Sequence, residues 1–157
     1  MTAATWTAAT WTAARFDVGA EAAGGFALAP TGGFAIVDGD ACVHQDLWLL
    51  LLTTPGERVM RPAYGCHLRR LLFQPNDATL AGLAIHYVRD AVTRFEPRVE
   101  IVALDAAPGP AAPEDRTRAA QVLGIRLDYE VRRSRRRRRL ALDLDLERGV
   151  RAGGSAE

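Results

Sequence analysis

Asp77 to Leu104 reads DATLAGLAIHYVRDAVTRFEPRVEIVAL, and the fold turns on it. Asp77 is a helix-capping residue placed directly before an apolar-periodic run. Leu80, Leu83, Ala84, Tyr87, Val88, Ala91, Val92 and Phe95 recur at the i, i+3, i+4, i+7 spacing of one helix face, which predicts a helix over Ala78–Phe95. Pro97 ends it, because the residue before a proline avoids the helical region. The period then changes to two. Val99, Ile101 and Ala103 alternate with Glu100, Val102 and Leu104, apolar on both faces, which predicts a buried strand.

Working outward from that switch, two more alternating runs follow toward the C-terminus. Leu123, Ile125, Leu127, Tyr129 and Val131 alternate with Gly124, Arg126, Asp128 and Glu130; Leu140, Leu142, Leu144 and Leu146 alternate with Ala141, Asp143, Asp145 and Glu147. Each reads as a strand with one wet face. Pro108–Arg118 reads as a Pro-rich loop. Toward the N-terminus, Phe34–Val37 reads as a short strand ended by Asp38-Gly39, and Asp40 as the cap of a helix from Ala41 to Thr53, stopped by Pro55-Gly56. His67–Phe73 reads as one or two helical turns before Pro75. The predicted class is α+β: a short N-terminal strand, then two or three helices packed on one face of a small, mostly antiparallel sheet.

Thr2–Ala14, TAATWTAATWTAA, is a five-residue repeat without helical or strand period. The expected organisation is a disordered tail over 1–25, one domain over 26–148, and a disordered tail over 149–157. A chain of 157 residues suits one domain. Its longest apolar run, Leu47–Leu52, is far short of the roughly 18 residues of a membrane span. No basic leader with an apolar stretch opens the sequence, so the expectation is a cytoplasmic chain. Cys42 and Cys66, beside His44 and His67, fit no standard zinc spacing; no metal and no cofactor is expected, and both thiols are expected buried and reduced.

The net charge of +1 gives no overall pull toward nucleic acid or membrane. All 20 basic residues are arginine, the codon bias of a GC-rich genome. RRSRRRRR, Arg132–Arg139, is the strongest local charge feature. It reads first as a solvated hairpin tip and second as a grip for phosphates or an acidic protein. No aromatic residues interleave with it, so no stacking platform for single strands is suggested.

Gln45–Asp77, QDLWLLLLTTPGERVMRPAYGCHLRRLLFQPND, together with Phe95–Ile101, FEPRVEI, resembles the baseplate wedge and sheath-initiator family of contractile phage tails, type VI secretion systems and extracellular contractile injection systems. The likeness runs over about Gly33 to Glu147, and its most specific block is TPGERVMRP-aromatic-GC. Tyr64 stands where Phe is expected. The Arg run replaces a polar, Asn-containing turn, and the N-terminal repeat has no counterpart.

The resemblance implies a structural part of an injection machine, not an enzyme. It would link wedge subunits to the first sheath ring and initiate sheath assembly, with six copies round the tube and contacts to hub or tube proteins. It implies that Glu96, Pro97, Arg98, Arg58, Arg61 and Glu57 bind partners. The last strand, with Leu140, Leu142, Leu144 and Leu146, would offer a free edge to a sheath arm. Neither membrane nor nucleic acid is expected as a partner.

Physically, Glu96 ends a helix, where its charge meets the negative pole of the dipole and calls for a cation. Arg98, Arg58 and Arg61 are the candidates. Two readings stand: a staple holding the helix end to the Gly56–Gly65 loop, or a recognition patch, which the resemblance favours. A lysozyme-like glycosidase would need one protonated and one ionised carboxyl. Glu57 and Glu96 are the natural pair, yet each lies within two residues of an arginine, which favours the ionised form.

Overall fold

The computed structural model describes residues 12–14, 16–17, 25–26, 28–108 and 121–152. Four short strands come first: β1 (Thr12–Ala14), β2 (Phe16–Asp17), β3 (Gly25–Phe26) and β4 (Ile36–Asp38). Helix α1 (Gly39–Leu52), a 3₁₀ turn (His67–Leu71) and helix α2 (Ala78–Phe95) follow. The chain closes with β5 (Val99–Pro108), β6 (Val122–Val131), β7 (Arg137–Asp145) and β8 (Gly149–Ala152). The last four form an antiparallel sheet in sequence order. The fold is α+β, with both helices on the sheet face that carries Leu123, Ile125, Leu127, Tyr129, Leu140, Leu142 and Leu144.

Helix α2 follows its sequence pattern closely. The Asp77 carboxylate accepts from the Leu80 amide at 2.8 Å, and Leu80, Ala84, Val88, Ala91 and Val92 enter the core. Helix α1 starts earlier than expected. Asp38 holds the N-cap position without a side-chain cap, and Asp40 lies inside the first turn, where it accepts from Ser134 Oγ at 3.0 Å. The strand before α1 runs on to Asp38, so the turn into the helix falls on Gly39, whose φ is +56°.

Three expectations are corrected. First, β5 is an edge strand and not a doubly buried one. A bulge at Val102 puts an extra residue between the pairs Ile101–Tyr129 and Ala103–Asp128, so Val102 is 46 % exposed while Ile101 and Leu104 both reach the core margin. Second, Leu142 and Leu144 do not stand on an edge strand's free side, and of the four leucines Leu140, Leu142, Leu144 and Leu146, Leu140 alone lies in the part of β7 that described β8 residues do not pair with. β8, placed in the expected C-terminal tail, pairs with Leu142–Asp145, and the four leucines are core residues no more than 4 % exposed. Third, the expected N-terminal tail contains strands: β1 pairs with β4, β2 pairs with β3, and Gln45 Nε2 donates to the Ala14 carbonyl at 2.8 Å. Most of the repeat, the greater part of the Pro108–Arg118 loop and residues 153–157 lie outside the described residues.

A side-chain arrangement centred on His44 locks α1 to the sheet. His44 on α1 bonds Tyr129 on β6, with Nδ1 2.8 Å from the hydroxyl. Trp48 Nε1 donates to His44 Nε2 at 3.2 Å. An indole N–H can only donate, so Nε2 keeps its lone pair and the imidazole is the neutral Nδ1–H form. A second proton on Nε2 would face the indole N–H. Burial, and after it the charge of Arg138, hold this histidine below its ordinary pKa.

The Thr53–Cys66 connection is closed at its base by Cys66 N donating to Thr53 O at 2.9 Å. There Gly65 has φ +129°, and a Cβ on it would lie 2.4 Å from Thr53 O. Only glycine fits such a contact.

Gly65→Ala is expected to cost about 3 kcal/mol, from strain and a backbone clash together. Gly82→Ala, on α2 with open space around it, should gain roughly 0.5–1 kcal/mol. Urea unfolding of the two variants checks both signs. The lowered His44 pKa sets a pH dependence as well. The unfolded chain takes up the proton first as pH falls below about 6.5, so stability drops through that range. The urea midpoint should fall between pH 7.5 and pH 5.5, and His44→Gln should flatten that fall.

Candidate functional site

The Glu-Pro-Arg element sits where α2 hands over to β5. Glu96 is the C-cap residue of α2 and Pro97 forbids a further helical turn, so Arg98 swings back toward the helix end. Its guanidinium forks onto Glu96: Nε donates to Oε1 and Nη2 to Oε2. The same Nη2 also donates to Asp46 Oδ2, on α1, at 2.6 Å. Glu96 is 5 % exposed, whereas the side chains of Arg98 and Asp46 keep 23 % and 30 %. Such a planar fork is stronger and more directional than a neutral hydrogen bond. The bond to Glu96 above all, and Asp46 after it, raise the Arg98 pKa, so the guanidinium is permanently charged.

The Glu96 carboxylate is therefore a staple, but not to the partner expected. It joins α2 to α1 through Arg98 and Asp46, while Arg58 and Arg61 stay in the Gly56–Gly65 loop. Arg58 stacks on the Tyr64 ring at 4.3 Å, and Tyr64 packs against Phe95 at 5.3 Å, one residue before Glu96. Burial raises the Tyr64 pKa, with Arg58 and Arg98 opposing and Asp46 and Glu96 adding. Tyr64 thus connects the loop to the helix end that carries the staple, through ring contacts that Phe would also make. Asp46 was missed by sequence reasoning. An acid in the body of α1, directly before the apolar run Leu47–Leu52, was the signal available.

Glu57 is spent locally. It accepts from the Thr54 amide at 2.9 Å and from Arg69 Nη1 at 3.2 Å. The Thr54 bond, with Arg69 in support, holds its carboxyl below the ordinary range. A general acid needs the opposite shift. Burial pushes the Cys66 thiol up to about 12, which leaves it inert.

The Arg run divides in two. Arg132–Arg136 form the hairpin tip, tied down by Arg132 N donating to Arg98 O at 2.9 Å. Arg137–Arg139 belong to β7. Arg139 meets Asp128 at 2.6 Å, Arg137 and Arg135 meet Glu130 at 3.3 and 3.1 Å, and Arg132 meets Glu100 at 3.5 Å. These are cross-strand and near-strand pairs on the wet face, each worth a fraction of a kcal/mol. Much of the charge that could have gripped phosphates is thus matched inside the chain. On either side of the Glu-Pro-Arg element lies a cavity. One of about 440 Å³ is bounded by Val92, Pro97, Glu100 and Val102; one of about 370 Å³ by Gly39, Val43, Arg98 and Val131.

The model of one protein family, described as baseplate wedge protein gp25, matches residues 37–136, which take in α1, the loop, α2, the staple and the hairpin tip. The chain belongs to this family. Among solved structures it is similar to a tail lysozyme candidate from Geobacter sulfurreducens, with 30 % identity, a TM-score of 0.59, and coverage of 69 % of this chain and 91 % of that one. It is also similar to a chain of the anti-feeding prophage baseplate, with 26 % identity, a TM-score of 0.57, and coverage of 67 % and 78 %. No curated protein sequence matches it. In this gp25-family chain the sheet strands β7 and β8 continue beyond the matched residues.

Removing the charge of Glu96 leaves Arg98 partly buried with one weaker partner. Glu96→Gln is expected to destabilise by about 3 kcal/mol, the low end for a broken buried pair because Arg98 keeps some solvent. Asp46→Asn, at the wetter end, should cost about 1 kcal/mol. Chemical denaturation of each variant reads the difference.

Proposed function

We propose that this chain is a structural subunit of the baseplate of a contractile injection machine, joining wedge subunits to the first sheath ring and starting sheath assembly. The observation that carries the reading is the family match over residues 37–136, supported by the likeness to a chain of the anti-feeding prophage baseplate. Its setting is then a phage tail-like particle. Its partners are wedge subunits and sheath protein, with hub or tube proteins in reach and six copies round the tube. No described helix is long and apolar enough to cross a membrane.

The partner-binding residues divide by exposure. With Glu96 sealed, the Glu-Pro-Arg element would meet wedge subunits through Pro97 and the open edge of Arg98, beside the two cavities. Arg58, Arg61 and Glu57 would present the loop. The edge proposed for a sheath arm moves from the leucines to the backbone of β7 that β8 leaves uncovered. Leu146 N donates to Gln121 O, toward β6. By alternation, Arg137, Arg139 and Ala141 turn their N–H and C=O groups the other way. Among the described residues β8 covers Leu142–Asp145. An added strand could pair along Arg137–Ala141, up to where β8 begins.

The glycosidase reading loses ground on Glu57, whose carboxyl is held ionised. The word lysozyme belongs to the Geobacter neighbour. The nucleic-acid reading loses ground on the ion pairs of Arg132, Arg135, Arg137 and Arg139.

Arg139→Pro removes one outward N–H without touching the bonds to β6, and Arg139→Ala controls for the lost Asp128 pair. The proline variant should stay folded by circular dichroism and join the baseplate, while electron microscopy shows tubes without sheath. The alanine variant should build normal particles. Full sheaths on the proline variant would rule out this edge.

A further inference from the structure

The loop between α1 and the 3₁₀ turn carries a feature that neither the core nor the staple uses. Thr54 O accepts from Glu57 N, Arg58 O from Arg61 N, and Arg61 O from Tyr64 N, at 3.1, 3.3 and 3.0 Å: three successive turns. Gly56 N donating to Pro62 O at 2.8 Å straps them together. At the tip, the central residues of the Arg58–Arg61 turn are Val59 and Met60, 91 % and 94 % exposed. Met60 has φ +64°, a value that glycine, not a thioether side chain, adopts freely. Two apolar side chains in full solvent, one on strained backbone, have no reason in this chain's own stability. Preordering such a tip lowers the entropy lost when it is bound.

We infer that the Arg58–Arg61 turn is an insertion plug: Val59 and Met60 enter an apolar pocket, rimmed by carboxylates, on a neighbouring baseplate subunit. The inference rests on the baseplate reading. The charge of the occupied surface follows from the flanks. Arg58 and Arg61 stand on either side of the tip, both exposed, and among the described residues neither meets a carboxylate. Arg58 is held by the Tyr64 ring, a contact that leaves its outer face open. A second copy of this chain is the poorer host. Of the cavities beside its Glu-Pro-Arg element, one sets Arg89 and Arg132 against Glu96 and Glu100, with no net negative rim, and the other sets Arg98, Arg132 and Arg133 against Asp40 alone. Methionine suits the task, since its flexible, polarisable side chain fills irregular apolar pockets.

The test uses the full chain in producing cells. A benzophenone amino acid at position 60 is irradiated in purified particles, and the adduct is mapped by mass spectrometry. The expected adduct lies on a different baseplate subunit, in an apolar stretch with Asp or Glu within a few residues. An adduct on a second copy of this chain, or none, overturns the plug. In parallel, Met60→Gly should match or exceed the wild-type melting temperature, because it relieves the positive φ. With Val59→Ser it should still enter particles at least about ten-fold less well. Arg61→Glu should fail likewise and Arg61→Lys should not. Normal incorporation of the Val59→Ser, Met60→Gly chain sinks the plug alone. Absence of the wild-type chain from the particles sinks the baseplate reading and the plug with it.

Discussion

One guanidinium decides how the pieces of this chain meet. Arg98 forks onto Glu96 at the end of α2, reaches Asp46 on α1, and through its carbonyl holds Arg132 at the tip of the β6–β7 hairpin. A carboxylate at a helix C-terminus is unfavourable by itself, since it faces the negative end of the dipole. Here the neighbouring cation reverses that sign. The proline between the two charges makes the reversal geometric, because it stops the helix and returns the chain within two residues. Helix packing, the start of β5 and the seat of the hairpin tip all depend on that return.

Around this fixed point the surface separates into rigid and available parts. The wet face of the sheet is laced by Arg–carboxylate pairs, individually weak, that hold strand register and set Arg132, Arg135, Arg137 and Arg139 against Glu100, Glu130 and Asp128. The edge of β5 is blunted by its bulge at Val102, a common protection against unspecific pairing. Among the described residues the opposite edge is covered over Leu142–Asp145, by the four residues of β8 against nine in β7. The loop from Thr53 to Cys66 is locked at its base by Gly65 and at its flank by Tyr64, yet presents Val59 and Met60 to solvent. Stiff foundations with open tips and edges suit a part whose work is to be joined to others.

Much of this could be read from residue order. The 3.6-residue period of Ala78–Phe95, its Asp77 cap and its Pro97 stop are local properties, and the helix reappears with those bounds, although Leu83 of the expected face is exposed and Ala81 is buried. The alternation of β6 and β7 was equally plain, since side chains of period two must divide between a wet and a dry face. Where the reading failed, the deciding contact lay far along the chain. Val99–Leu104 looked buried on both faces, but its place at the sheet edge depends on which strand it joins. Gly149–Ala152 is too short to show a period and becomes a strand only because β7 is there to pair with it. Thr12–Ala14 is shaped likewise by β4.

The sequence by itself determined the class of the fold, the helices, two of the sheet strands and the Glu-Pro-Arg element, because each follows from spacing within one short segment. Only the tertiary structure decided what Glu96 does. Its fork is local, but Asp46 stands 52 residues away from Arg98 in the chain. The same holds for His44 and Tyr129, 85 residues apart, and for the edge of β7 that the described residues leave open. A charge or a strand edge acquires its role from what lies beside it in space, and that neighbour is set by how the whole core closes.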